Sequence, residues 1–439
     1  MGPSARLDPE DFAAIDAVAA PADAMLAEAA SRREAREAGE SAYPGESARR
    51  GESTRQPVHT VYVPADRVAA EPSGRLVPSW GAAARAAIDT HAPTALALAG
   101  ATGLAPDVVE AVWPRLLDKL ATEPIEDLRV DLEDGYGVRS DDIEDRDAIA
   151  SAHTLVAATV AGVAPPYLGF RIKSMEPATR HRGLRSLDLA LGVLCAAEAS
   201  LAPRFVVTLP KVSAVAQVDA MAVACARLED RHGLVAGRLR FEVQVETPDA
   251  VLGPDGAATV ARIVSAGEGR VCGLDFGTYD YSAALGIAGP YQSLEHPAAD
   301  HAKAVMQLAV AGTGVRLSDG STNVLPVGDG DSVHAAWRLH TRLVRRSLER
   351  GFYQGWDLHP AQLPTRFLAT YTFFRAGFES AVSRLQAYVA GADGATLDEP
   401  ATARALAGFA LRAPQCGAVT ESELGLPRRQ LSTLASHWG

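Results

Sequence analysis

Cysteine is scarce in this chain, and what there is lies scattered. Cys195, Cys225, Cys272 and Cys416 form no CxxC pair and no Cys/His cluster. A disulfide framework and a structural zinc site are therefore not expected, and free thiols in a reducing compartment are. A basic stripe is missing too. The formal charge is -12 at pH 7, the wrong sign for a nucleic-acid partner. No apolar run approaches the ~20 residues that span a bilayer, and the first residues lack a basic-then-apolar signal pattern. The expectation is a cytoplasmic protein with neither membrane nor nucleic-acid partners. One further absence bears on fold: the first strand candidate, in "YVPADRVAAEPSG", is not followed by the GxGxxG turn of a dinucleotide-binding, doubly wound sheet.

What remains is a globular composition, 47% apolar and 22% charged over 439 residues, enough for one large domain or two ordinary ones. Residues 1–57 differ from the rest. An Ala-rich helical pattern leads into "EAASRREAREAGESAYPGESARRGESTRQP", read as an extension of one helix plus a polar linker. From His59 a rhythm begins in which short β-branched runs alternate with longer Ala/Leu-rich helical segments. Eight strands are predicted, in "HTVYVPAD", "LRVDLEDGYG", "YLGFRIKS", "RFVVTLPKV", "LRFEVQVETP", "RVCGLDFGTYD", "VRLSDGSTNV" and "GFYQGWDLHP". Eight strand–helix units predict an α/β fold, a (β/α)8 TIM barrel over 58–375. The helical segment 376–439 is then a lid or an oligomer contact.

In such a barrel the C-terminal strand ends form the active face. Here those ends carry Glu133, Asp134, Arg171, Lys173, Lys211, Glu246, Asp275, Asp280, Asp319, Asp357 and His359. A single strand-end charge is ordinarily just solvated, and recurrence on strand after strand is what points to a pocket. In "FEVQVETP", alternation sets Glu242, Gln244 and Glu246 on one face, opposite Phe241, Val243 and Val245. Burial alone does not account for that polar face. Acidic oxygen donors such as Glu246 and Asp280, with no Cys and little His beside them, suit a hard cation, Mg2+ or Mn2+. Arg171 offers a fork for a carboxylate, or else an ion pair with Glu242 or Glu133 inside the barrel. The basic cluster Arg180, Arg182 and Arg185 is a candidate contact for a phosphate, or a solvated helix face.

In chain order, "VYVPAD", "VDLEDGYG", "FRIKS", "LPKV", "QVETP", "FGTYDYSAALG" and "GFYQGWDLHPAQ" resemble the motifs of the citrate lyase beta-subunit-like group of the HpcH/HpaI aldolase superfamily. The resemblance covers roughly residues 59–378. It implies a metal-dependent carbon–carbon lyase or aldolase in which Glu246 and Asp280 hold Mg2+ (or Mn2+). By the same resemblance Arg171 binds the substrate carboxylate and developing enolate, and Glu133 and Asp134 orient water or reach the reacting carbons. Lys173, Lys211, Asp275, Asp319 and His359 are then supporting or substrate-contacting groups. His359 is more simply a residue that hydrogen-bonds barrel backbone.

The implied substrate is a small keto acid or an acyl-CoA, with coenzyme A as part of the substrate. Class II pyruvate aldolase chemistry on free acids, phosphoryl or phosphonyl chemistry, and a non-catalytic keto-acid sensor are the alternatives. The resemblance also implies a homo-oligomer, a trimer or hexamer, with the C-terminal segment covering a neighbour's site. The chain departs from the pattern at Lys173, Tyr279 and Tyr281, and in longer connections at 174–203 and between Glu246 and Asp280.

Overall fold

A computed structural model describes residues 5–36, 55–197, 204–311, 313–391 and 399–436. The polar linker expected before residue 57 falls mostly outside them. Eight strands appear where the alternation predicts them: β1 Thr60–Pro64, β2 Asp127–Asp131, β3 Tyr167–Arg171, β4 Phe205–Leu209, β5 Arg240–Val245, β6 Val271–Phe276, β7 Arg316–Ser318 and β8 Trp356–Asp357. All pair in parallel, in the order β7-β6-β5-β4-β3-β2-β1-β8. Closure between β7 and β8 rests on a parallel bridge from Ser318 to Gln354 and on Asp319 N donating to Gln354 O at 2.9 Å. The result is a nearly closed TIM-type barrel wrapped by helices.

Parallel strands covered by helices on the outside must present apolar residues there. Val61, Val63, Leu128, Val130, Phe170, Val207, Val243, Val245, Leu274 and Phe276 do so, all buried within the main hydrophobic core. Register then sends the alternate residues into the lumen, where this barrel is polar. Arg129 on β2 is fully buried and donates from Nε to Glu242 Oε1 (2.9 Å) and Thr208 Oγ1 (3.0 Å), and from Nη1 to Asp127. The polar face of "FEVQVETP" is thereby explained at its first position. Glu242 belongs to an internal ion pair, with Arg129 as its partner rather than Arg171. Farther up, Tyr62 and Trp356 meet ring to ring at 4.8 Å. Gly169 on β3 keeps the wall tight, since a Cβ there would lie 1.7 Å from Val206 O.

The N-terminal helix Pro9–Arg36 starts at Asp8, whose carboxylate accepts from Glu10 N and Asp11 N ahead of a proline at the first helical position. It packs on the barrel helix Val215–His232. Its acids reach the neighbouring helix Arg180–Ala196, where Arg180 Nε meets Asp16 at 2.8 Å and its Nη2 meets Asp23 at 2.9 Å. At the other end, one helix, Leu363–Ala390, runs unbroken through position 376. The helices Pro400–Gln415 and Arg428–Ser436 fold back beyond it. Glu423, between them, receives Arg375 Nη1 at 2.5 Å and Arg115 Nη2 at 3.3 Å. Among the described residues no single helix is long and apolar enough to cross a membrane.

Candidate active site

The barrel's C-terminal rim gathers charge at one place. Asp131, the last residue of β2, accepts from Glu133 N and Gly135 N, both at 2.9 Å, which coils the "DLEDG" segment over the strand end. Arg171, the last residue of β3, answers it with a fork: Nε to Asp131 Oδ1 at 2.7 Å and Nη2 to Oδ2 at 2.6 Å. Its Nη1 lies 3.2 Å from Glu133 Oε2, and the guanidinium sits 4.9 Å from the centre of the Tyr62 ring. Burial works against the charge on Arg171, but Asp131 and Glu133 raise its pKa well above the usual range.

Beside this pair stands Lys211, just past β4. Its backbone φ is +53°, in the left-handed region that side chains other than glycine seldom adopt. This twist brings its N–H to Glu246 Oε1 at 2.7 Å. Its ammonium Nζ lies 2.7 Å from Asp134 Oδ2, 2.7 Å from Asp280 Oδ2, 3.5 Å from Glu133 Oε1 and 3.9 Å from Glu246 Oε1. Four acids from the ends of β2, β5 and β6 thus converge on one cation. Gly277 allows the approach, because a Cβ there would lie 2.6 Å from Glu246 Oε2.

Burial pushes the Glu246 carboxyl up to about 7 against the pull of Lys211. Glu133 is pushed up to about 8 by burial, with Arg171 and Lys211 opposing. Asp134, more open to solvent, is held below its usual range by its bond to Lys211 although burial opposes this. The same acids raise the Lys211 pKa despite its partial burial, so its amine stays charged and is a poor nucleophile.

The structure therefore brings together Glu133, Asp134, Arg171, Lys211, Glu246 and Asp280. The remaining candidates lie elsewhere. Lys173 Nζ is bound to Glu144 Oε2 at 2.7 Å and to Leu132 O at 2.6 Å. Asp275 sits inside the lumen, where burial and then Glu242 push its pKa far up. Asp319 pairs with Lys303 at 2.9 Å and with Ser347 at 2.6 Å. Asp357 faces the outer side of the barrel, against His59 at 2.7 Å and Arg366 at 3.0 Å. His359 Nδ1 accepts from Ala361 N at 3.2 Å and caps the turn after β8. Arg180 is held by Asp16 and Asp23, while Arg182 and Arg185 are held by Asp145.

Two residues escaped the sequence reading. Asp131 orients Arg171, and Arg129 fills the lumen. The signal was present in "DLRVD", where Asp127, Arg129 and Asp131 alternate as Glu242, Gln244 and Glu246 do.

The donor chemistry fits a hard divalent cation, since Glu246 and Asp280 offer oxygen alone and lie on the same rim. Among the described residues, however, no three His, Cys, Asp or Glu side chains are gathered tightly enough to hold a metal ion. The ammonium of Lys211 stands between them.

No curated protein matches the chain. Among solved structures, a citrate lyase from Burkholderia xenovorans LB400 matches with a TM-score of 0.53 and 22% identity, over 71% of this chain and 90% of that one. CitE from Mycobacterium tuberculosis, in complex with magnesium, acetoacetate and coenzyme A, matches at 0.46 and 19% identity, over 82% and 97%. Malate synthase from Haloferax volcanii matches at 0.48 and 14%, over 88% and 99%. Residues 32–437 match the model of DUF6986, a domain of unknown function. The chain belongs to the DUF6986 family, and its TIM-type barrel is similar in fold to that of the Burkholderia protein.

Proposed function

We propose that this protein is a divalent-metal-dependent carbon–carbon lyase or aldolase that works through an enolate beside a carboxylate. The observation that carries the reading is the convergence of Glu133, Asp134, Glu246 and Asp280 on one cationic point, next to an Arg171 fork held rigid by Asp131. Glu246 and Asp280 would hold Mg2+ or Mn2+, which supplies Lewis acidity at chelated keto and carboxylate oxygens.

The chain's own groups supply the rest. Arg171, with two of its five N–H donors beyond those spent on Asp131 and Glu133, faces the charge that develops on the enolate oxygen. Asp134, held ionised by Lys211, would take the proton from the substrate hydroxyl, while Glu133, whose carboxyl burial pushes up to about 8, would keep its own proton near neutral pH. As that proton leaves, the carbon–carbon bond breaks, its electron pair passes into the enolate, and the carboxyl proton of Glu133 would go to the enolate carbon. Asp131 fixes the angle of Arg171, so the electrostatic contribution needs no rearrangement when charge appears.

The substrate is a hydroxyacyl-CoA or a free hydroxy-keto acid. The pairing of Arg180, Arg182 and Arg185 with acids of the chain removes the basic cluster as a waiting phosphate contact, and so strengthens the free-acid alternative. Within one chain, Glu423 ties the C-terminal segment to the barrel's flank through Arg115 and Arg375. A trimer or hexamer in which residues 376–439 cover a neighbour's rim belongs to the same proposal.

The test is a panel of hydroxyacyl-CoA thioesters and free 4-hydroxy-2-keto acids, assayed with and without Mg2+. Glu246→Gln and Asp280→Asn should each lower kcat by roughly 10³-fold, the several kcal/mol that a Lewis-acid metal contributes. Unchanged turnover in Glu246→Gln would contradict the site. Metal-dependent binding of a keto acid without turnover on any member of the panel would favour a sensor.

A further inference from the structure

We infer that the Lys211 side chain is an internal competitor for the divalent cation: its ammonium holds the acids of the rim together until metal enters, and must then swing away. This rests on the metal reading above and goes beyond it.

Three observations support the inference. The first is that the same oxygens are claimed twice. Nζ lies 2.7 Å from both Asp134 and Asp280 and within 3.9 Å of Glu246, so an ion held by Glu246 and Asp280 would share their oxygens with an ammonium. Two cations cannot occupy that point together.

The second is that Lys211 is attached in a way that lets its tip leave without disturbing the site. The left-handed backbone fixes its N–H on Glu246 Oε1 at 2.7 Å, and only the flexible four-carbon stem carries the charge. Lys211 and Glu268 are the only non-glycine residues with positive φ among those described. A strained conformation of this kind persists where the surroundings impose it, often at functional sites. A route outward exists, because the side chain of Asp134 is 56% exposed and remains a partner at the lip of the rim.

The third is the charge balance. Arg171 is committed to Asp131 and Glu133, which leaves Lys211 as the cation in contact with Asp134, Glu246 and Asp280. With all three acids ionised, a single positive charge leaves two negative charges uncompensated, and a divalent ion would leave one. Metal loading and the release of Lys211 toward the substrate are then one event.

The test uses the full chain, stripped of metal, and reads Mn2+ binding by calorimetry and by the spin resonance of free ion. Lys211→Met should bind Mn2+ at least about tenfold tighter than wild type, because apparent affinity scales with the fraction of sites not already occupied. Lys211→Arg keeps the cation and should bind no tighter than wild type. On the wild-type protein, Mg2+ should speed acetylation of Lys211, read by peptide mass spectrometry. Lys173, bound to Glu144, serves as the internal reference. That second measurement stands even if Lys211→Met fails to fold.

Equal or weaker Mn2+ affinity in a folded Lys211→Met overturns the inference, as does an acetylation rate that Mg2+ lowers or leaves unchanged. If wild type binds Mn2+, Glu246→Gln abolishes binding and Lys211→Met does not tighten it, the role of Lys211 falls while the metal site stands. If no form binds Mn2+, or Glu246→Gln binds it as wild type does, both fall.

Discussion

Replacing Arg129 by methionine removes a guanidinium that donates to Asp127, Glu242 and Thr208 in the lumen, and leaves the volume filled. At an effective dielectric near 20, a pair at this distance is worth about 6 kcal/mol before the cost of taking both charges out of water. A stranded acid has an escape, because it can bind a proton. Raising a carboxyl from a pKa near 4 to neutrality costs about 4 kcal/mol at pH 7, which bounds the penalty per acid. Asp127 is already pushed above its ordinary range by burial even with Arg129 beside it, so it would protonate readily.

The expected loss is therefore about 3–5 kcal/mol at pH 7, the range found when a buried pair is broken from one side. The sign with pH follows from the raised pKa in the folded state. The penalty is complete above the raised folded-state pKa and fades as pH falls from there to the unfolded value, so the gap from wild type should narrow at pH 5. Urea unfolding of both proteins at the two pH values measures this. A variant within about 1 kcal/mol of wild type at pH 7, or a gap of equal size at pH 5, would refute the account of the lumen.

Two further outcomes are expected besides those for Glu246, Asp280 and Lys211. Arg55 and Lys119 hold Glu123 down at about 2, although burial pushes it up. Its contribution should be full above about pH 4.5 and disappear as pH falls toward 2, so the melting temperatures of wild type and Glu123→Gln should differ at pH 7 and converge in acid. The double variant Asp16→Asn, Asp23→Asn removes both carboxylates that grip Arg180. Hydrogen exchange across residues 9–23 should then quicken while the barrel strands keep their protection, and unchanged exchange there would mean that the helix is held by its packing alone.

Much of this molecule was legible in the chain. Strand period and helical period differ, so eight β-branched runs separated by Ala/Leu-rich segments point to alternating strands and helices; seven strands lie within the expected runs, and β2 begins one residue ahead of its run, at Asp127. The charges at strand ends were legible for the same reason, since a strand's last residues come out on the barrel's active face.

The partners of those charges could not be read. A carboxylate on β5 looks the same in sequence whether it meets Arg129 in the lumen, as Glu242 does, or Lys211 on the rim, as Glu246 does. Asp275, Asp319 and Asp357 share the strand-end pattern, yet register and pleat turned the first into the lumen and the last outward to His59, and set Asp319 on Lys303. Local periodicity determined which residues are strands and which faces are polar. Which acid met which cation was decided only when the strands closed into a ring, because an ion pair depends on distances between residues far apart in the chain.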